Sequence, residues 1–432
     1  MIKATDGQNN NRREWKRFMG LIVQKFGGTS VGSVERIQHV ANLIKQEVDN
    51  GHSVVVVVSA MGKSTDQLVD LACEITPRPS PREMDMLLTT GEQVSIALLS
   101  MALHELGLDA VSLTGWQAGI LTEGVHQNAR ILDIDEQKIL RYVEEGKVVV
   151  VAGFQGITRE GQITTLGRGG SDTTAVALAA ALGADRCDIY TDVTGVFTAD
   201  PRIVPTASQL KEISYDEMLE LANLGAGVLH PRAVECAKNH QVKLTVRSSF
   251  EAVEGTEVKE EALMETGKVV HGVAHEDQVT KVTVKGLKNE IGTLARLFNL
   301  LAEYHINVDI IVNQNIQGQE RTHISFSLDT QDLDKALQVL EEHKAQLDYE
   351  DVVFEREMAK VSIVGAGMIS NPGVAAKMFQ SLAEAGIEIK MVSTSEIKVS
   401  CVVPRKDMVK AVQALHSAFG LDRVAEKVSA SN

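Results

Sequence analysis

The chain has 432 residues, 43 Lys and Arg against 58 Asp and Glu, and a formal charge of −15. Domains run to roughly 100–200 residues, so two to four are expected, and the acidic balance argues against non-specific nucleic-acid or anionic-membrane binding, which need basic patches. The longest unbroken apolar run, about 54–58, is far short of the roughly 20 residues of a membrane span, and the basic, Asn-rich N-terminus lacks a signal core. Cys73, Cys187, Cys236 and Cys401 show no metal-ligand spacing, nor do the 12 histidines, so no protein-built metal site and no disulfide are expected. A reducing, cytoplasmic setting follows.

In chain order, residues 1–18 read as a disordered leader, with Met19 a possible natural start. Residues 21–26 read as a buried strand, 34–48 as an amphipathic helix, and 54–59 as a β-branched strand covered on both faces. Helices are expected near 66–76 and 83–106, strands at 110–113 and 148–153, and an Ala-rich helix at 171–182. A strand at 187–193, helices at 215–223 and 231–240 and a strand at 242–246 complete a mainly parallel α/β sheet sandwiched by helices. At 248–268 the pattern lapses, which marks a domain boundary. Beyond it Lys281–Gly286 resembles Lys360–Gly365, Gly292 matches Gly373, and Leu301-Ala302-Glu303 matches Leu382-Ala383-Glu384. This internal repeat reads as two ferredoxin-like βαββαβ modules.

There is no Walker A motif. Lys25-Phe26-Gly27-Gly28-Thr29-Ser30 closes the first strand and opens a helix. Its glycines let backbone N–H groups reach phosphate oxygens, and Lys25 adds a point charge; the competing reading is a tight turn with a solvated lysine. Thr165-Leu166-Gly167-Arg168-Gly169-Gly170-Ser171-Asp172 precedes the Ala-rich helix. Arg168 suits a carboxylate, and Asp172 either holds Mg²⁺ or caps the helix. Thr191 and Asp192 at a strand end, with Phe197 and Arg202 beyond, suit a nucleotide, or are an ordinary turn. Glu92 is either a solvated charge or an anchor for a substrate ammonium. Gly365-Ala366-Gly367 mimics a dinucleotide fingerprint, but too little chain follows it for that fold.

Taken together with Gly153–Gly156, Thr198–Arg202, Leu229–Arg232 and Val392–Glu396, these motifs resemble, in order, the aspartokinase family of the amino-acid-kinase fold, over about 21–425. The resemblance is to the monofunctional, lysine-sensitive type, since the chain ends too soon for a fused homoserine dehydrogenase. It implies a catalytic domain at 19–262 and tandem ACT regulatory domains at 263–350 and 351–432. The implied reaction is Mg²⁺-dependent transfer of the ATP γ-phosphoryl group to the β-carboxylate of L-aspartate, giving 4-phospho-L-aspartate. By the same resemblance Lys25 and Asp172 are catalytic. Lys25, Phe26, Gly27, Gly28, Thr191, Asp192, Phe197 and Arg202 hold ATP. Ser59, Thr65, Glu92, Arg168, Gly169, Gly170 and Ser171 hold aspartate. Lysine, with threonine as co-effector, would contact Ile291, Gly292, Asn307, Val308, Asp309 and Gln314. The family's proline before Gly292 is replaced by Ile291, whereas Pro372-Gly373 keeps it in the second copy. A homo-oligomer, or assembly with a separate regulatory chain starting near Met264, is expected. Two other readings are a kinase of the same fold acting on glutamate, N-acetylglutamate or a nucleotide, and an amino-acid sensor on an inactive kinase scaffold.

Overall fold

The computed structural model describes residues 20–225, 227–260, 268–314 and 320–422. The leader and the start near Met264 lie outside the described residues. The chain forms two units: residues up to Thr194 with Arg232–Glu260, and Gly195–Pro231 with the residues from Glu261 onward. The stretch 195–231 thus groups with the ACT repeat rather than with the strands that flank it in sequence.

The first unit runs β1 (Leu21–Phe26), α1 (Val34–Asp49), β2 (Ser53–Val58), α2 (Ser64–Ile75), α3 (Pro81–Leu88), α4 (Thr90–Glu105) and β3 (Ala110–Leu113). It continues with β4 (Ile120–Thr122), β5 (Ile131–Ile134), α5 (Gln137–Glu144), β6 (Val148–Ala152), β7 (Gln155–Ile157), β8 (Ile163–Thr165), α6 (Gly170–Leu182) and β9 (Arg186–Thr191). In the second unit come β10 (Glu212–Ser214) and α7 (Tyr215–Asn223); α8 (Pro231–His240), β11 (Leu244–Ser248) and β12 (Thr256–Lys259) return to the first.

The main sheet of the first unit has the order β12-β11-β9-β1-β2-β6-β3. It is parallel except for β12, which lies antiparallel on β11. The valine runs of β2 and β6 lie side by side within it and are buried throughout apart from Ser53, as strands with helices on both faces must be. Ile37, Val40 and Ile44 of α1 and Leu99 and Leu103 of α4 pack against Val56 and Val150. Because Phe26 pairs with both Val58 and Tyr190 in parallel register, β1, β2 and β9 end at one edge of the sheet, where open α/β sheets bind ligands. A smaller sheet, β5-β4-β7-β8, carries β8 into the loop before α6.

The helix expected at 83–106 is broken at Thr89 into α3 and α4. By length and composition the span Pro81–Glu105 is apolar enough to cross a membrane, although polar residues interrupt its apolar stretches. It carries Asp85 and Glu92, both buried, and its apolar residues Leu99 and Leu103 belong to the core of the first unit.

The second unit is built on β13 (Gly272–Lys288), α9 (Thr293–Glu303), β14 (Ile311–Gln314), β15 (Arg321–Asp329), α10 (Leu333–Glu342), α11 (Lys344–Leu347), β16 (Asp351–Val364), α12 (Val374–Glu384), β17 (Met391–Thr394), β18 (Lys398–Pro404) and α13 (Met408–Ala418). The six strands form one antiparallel sheet, β14-β15-β13-β16-β18-β17. The long strands β13 and β16 pair along both halves, 272–276 with 360–364 and 279–285 with 351–358. Each ferredoxin-like module therefore borrows a strand from the other. The modules keep separate helical cores, Leu297, Leu300, Ala336 and Leu340 in one and Met378, Leu382, Val412 and Leu415 in the other. The repeat is exact at its turns: Gly292 and Gly373 cap α9 and α12 with φ of +96° and +97°, a conformation that favours glycine. Gly365 is glycine for packing, since a Cβ there would lie 2.2 Å from the Val269 carbonyl oxygen.

Residues 195–231 are tied into this unit by buried charge. Glu217 completes a capping box with Ser214 and also accepts from His271 Nδ1 (2.7 Å) and the Ala366 amide (2.7 Å). Burial alone would raise its pKa, but these hydrogen bonds from His271, Ala366 and Ser214 hold it down to about 2. Glu220 pairs with Lys398 at 2.8 Å.

Candidate active site

Strand alternation sends neighbouring residues to opposite faces. At the end of β1, Phe26 turns into the core and stacks on Tyr190 with ring centroids 4.6 Å apart, while Lys25 turns towards a cavity. The cavity has a volume of about 240 Å³ and is lined by Lys25, Gly28, Ser59, Ala60, Gly62, Thr65, Glu92, Phe154 and the loop from Gly167 to Asp172. Five separate stretches of the sequence thus converge, among them the Lys25–Ser30 and Thr165–Asp172 motifs.

Lys25 Nζ lies 2.6 Å from Asp172 Oδ1, with both side chains about one-eighth exposed. Asp172 sits in the first turn of α6, whose cap residue Gly169 has φ +67°. The helix N-terminus therefore faces the cavity with its free N–H groups and positive end of the dipole. Gly28 is glycine because its carbonyl accepts from the Gly62 amide (3.0 Å) and a Cβ would fall 2.8 Å from the Ala60 carbonyl oxygen. Glu92 is 3% exposed. Its Oε1 accepts from the Ala60 amide (3.1 Å), and its Oε2 is buried with no partner among the described residues. Burial raises its pKa from 4.5 to about 7, against the opposing pull of backbone hydrogen bonds at Glu92 and Ala60. A hydrogen-bond donor is what this orphaned oxygen lacks, and a cation is a donor the carboxylate form would favour. Arg168 is exposed at the cavity mouth, and no carboxylate among the described residues lies in ion-pair range of it.

Every residue of the expected aspartate set, Ser59, Thr65, Glu92 and 168–171, lines this cavity. The expected nucleotide set is more dispersed. Gly27 donates to the Tyr190 carbonyl, and Thr191 donates to Asp192 Oδ1 at the end of β9. The Phe26 side chain is fully buried, and its carbonyl accepts from the Ser59 amide (3.1 Å). Phe197 and Arg202 belong to the second unit, where Phe197 bridges to Gln209 and Arg202 grips Asp200 through Nε and Nη2. Phe154, which has φ +71°, and Ala60 line the cavity but were not selected from sequence; Phe154 stood in a quoted motif, and Ala60 carried no signal.

A larger groove, about 750 Å³, lies along α6 and α8 and contains none of the sequence-selected residues. In the second unit a cavity of about 390 Å³ collects Asn307, Val308 and Asp309 from the expected effector set. Lys360 lies in it, paired with Asp309 (2.5 Å) and Glu276 (2.8 Å). Ile291, Gly292 and Gln314 do not line this cavity, and Ile291 is fully exposed.

The Amino acid kinase family matches residues 20–248, and the ACT domain family matches 282–343 and 361–419. The Aspartokinase of Geobacillus stearothermophilus is 65% identical over 410 residues, covering 95% of this chain and all of the relative. The crystal structure of E. coli aspartokinase III in complex with aspartate and ADP (R-state) is 29% identical, with a TM-score of 0.78, covering 92% of this chain and 99% of that one. The same enzyme in complex with lysine and aspartate (T-state) is 29% identical, with a TM-score of 0.73, covering 93% and 99%. An amino acid kinase domain joined to paired ACT modules, at this identity over nearly the whole length, has one consequence: the chain belongs to the aspartokinase family of phosphotransferases.

Proposed function

We propose that the chain transfers the γ-phosphoryl group of ATP to the β-carboxylate of L-aspartate, giving 4-phospho-L-aspartate, the first step towards lysine, methionine, threonine and diaminopimelate. One observation carries this reading: Lys25, Glu92 and Arg168 line a single cavity, an arrangement suited to an amino-acid zwitterion beside a phosphoryl group. The complex of E. coli aspartokinase III with aspartate and ADP supports the same pair of substrates.

The chemistry asks little of proton transfer. An aspartate β-carboxylate, with a pKa near 4, is already ionised at neutral pH, so no general base is needed. The obstacle is repulsion between an anionic nucleophile and an anionic γ-phosphoryl group, and phosphoryl transfer is catalysed mainly by positioning and charge neutralisation. Lys25 bridges the transferring group, and Asp172, 2.6 Å away, orients the ammonium. Arg168 binds the α-carboxylate, Glu92 the α-ammonium, and Ser59, Thr65 and 169–171 close the pocket. Gly27, Gly28, Thr191 and Asp192 hold the nucleotide, and the family resemblance adds Phe26, Phe197 and Arg202 to that set.

Among the described residues no group of three or more His, Cys, Asp or Glu side chains gathers as a metal cage. Asp172, which lines the cavity, is the carboxylate that would hold Mg²⁺ brought in with the nucleotide. Bound there, Mg²⁺ would supply neutralisation of phosphate charge.

Feedback by lysine, with threonine as co-effector, acts through the ACT modules, with Asn307, Val308 and Asp309 as the contacts that share a cavity; Ile291, Gly292 and Gln314 complete the set. The lysine complex of the E. coli enzyme supports lysine. A catalytic domain at 19–262 and ACT domains at 263–350 and 351–432, a cytoplasmic location, and either a homo-oligomer or assembly with a chain starting near Met264 belong to the same reading. The test is ATP-dependent hydroxamate formation across a panel of acids, repeated with lysine, threonine and both. Turnover of aspartate, suppressed by lysine, is expected; turnover of glutamate but not aspartate, or none, would overturn it.

A further inference from the structure

Outside the cavity, a buried polar cluster of the first unit centres on Asp85 of α3, which is 0% exposed. A buried carboxylate with no lysine or arginine partner is costly unless hydrogen bonds satisfy it. Here His126 Nδ1 donates to it (2.6 Å), as do the Thr165 hydroxyl (2.6 Å) and the Gln127 amide (3.1 Å). Thr165 ends β8, and the loop to α6 begins at the next residue. From the other side, Arg232 donates to the carbonyls of Leu166 (2.6 Å) and Ala129 (2.9 Å) and to Asn128 Oδ1 (3.2 Å). The Ala129 amide in turn donates to the Thr165 carbonyl (2.9 Å).

Segment 126–129 is therefore laid against segment 165–167 and fastened at both ends. The fit is close: Gly167 has φ +78°, and a Cβ there would come within 2.8 Å of the Gln127 carbonyl oxygen. Arg168 follows directly and has no ion-pair partner of its own among the described residues. The residues that lead into Arg168 are thus anchored by Asp85, segment 126–129 and Arg232, none of which lines the cavity, alongside the Phe154 carbonyl, which accepts from the Leu166 amide (2.9 Å).

We propose that Asp85, acting through Thr165 and segment 126–129, and Arg232, acting through the Leu166 and Ala129 carbonyls, are positioning residues that hold the Arg168 loop in register for the amino-acid substrate. The inference rests on the reading above that this loop binds aspartate. Misplacing a binding group by about 1 Å costs on the order of 100-fold. The perturbed loop carries the amino-acid contacts and not Thr191 or Asp192, so the effect falls on one substrate.

Steady-state kinetics of the full chain test this, with both substrates varied. Asp85→Asn and Thr165→Val each raise KM for aspartate tenfold or more while KM for ATP stays within twofold. Thr165→Ser, which keeps the hydroxyl, restores wild-type behaviour. Arg232→Lys, at a partly exposed site, raises KM for aspartate in the same selective way and decides the matter if the buried variants lose their cooperative thermal transition. Arg168→Ala serves as the reference. If it raises KM for aspartate and the folded Asp85, Thr165 or Arg232 variants do not, or if they raise both KM values equally, the positioning role is wrong and the aspartate assignment stands. If Arg168→Ala leaves KM for aspartate unchanged, the assignment of the loop itself fails.

Discussion

Glu92→Gln separates the binding role of this carboxylate from the cost of burying it. With its pKa raised from 4.5 to about 7 by burial, the ionised form is disfavoured by roughly 2.5 pKa units, on the order of 3 kcal/mol. The free enzyme is then about half protonated at pH 7. An aspartate ammonium supplies the partner that Oε2 lacks, so binding selects the carboxylate and releases protons. For the wild type, kcat/KM for aspartate should rise about tenfold per pH unit below 7 and level off above it. In Glu92→Gln this limb disappears, and KM for aspartate rises about 10- to 150-fold, the equivalent of a hydrogen bond to a charged group at about 1.5–3 kcal/mol. Stability moves the other way. A folded-state pKa above the unfolded value means stability that is full below pH 4.5 and lost as pH rises through 7. The Gln variant should match the wild type in urea unfolding at pH 4 and exceed it by on the order of 3 kcal/mol at pH 8 and above. A pH limb that survives the substitution, together with parallel stability profiles, would refute both the burial argument and the ammonium contact.

Lys25→Ala should lower kcat by several orders of magnitude in a protein with unchanged circular dichroism, because phosphoryl-stabilising cations contribute several kcal/mol; near-normal turnover would remove Lys25 from its role. Gly28→Ala, whose methyl group would meet the Ala60 carbonyl oxygen at 2.8 Å, should push the loop off its neighbour and weaken catalysis at least tenfold, as read in initial rates; wild-type rates would show that the loop yields freely. Asp309→Ala leaves Lys360 paired with Glu276, so the uninhibited rate should hold. Lysine inhibition should weaken by 5- to 150-fold, the usual span of an allosteric coupling; an unchanged inhibition curve would place the effector elsewhere.

What was legible in the sequence was local. Five consecutive valines and glycine-bearing turns announce a covered parallel strand and close backbone approach, and both motif loops meet at the cavity. The strands β4, β7 and β8 have three residues each and β5 four, too short to show a period. Glu92 against the Ala60 amide and Asp85 against Thr165 join residues 32 and 80 apart, and no spacing rule reaches that far. Strand alternation could have separated Lys25 from Phe26: two neighbours on one strand do not both face a ligand. The exchange of strands β13 and β16 between the modules was hidden because each strand reads locally as part of its own repeat copy.

The most direct measurement of the central claim, that an ionised β-carboxylate attacks the γ-phosphoryl group, follows an oxygen atom. L-aspartate labelled with ¹⁸O in its β-carboxylate is turned over with MgATP, and the product is trapped with hydroxylamine, which attacks the acyl carbon and expels phosphate. Phosphorus NMR should show one ¹⁸O in each released phosphate. Unlabelled phosphate would mean that the carboxylate oxygen never joined phosphorus, and the account would be wrong.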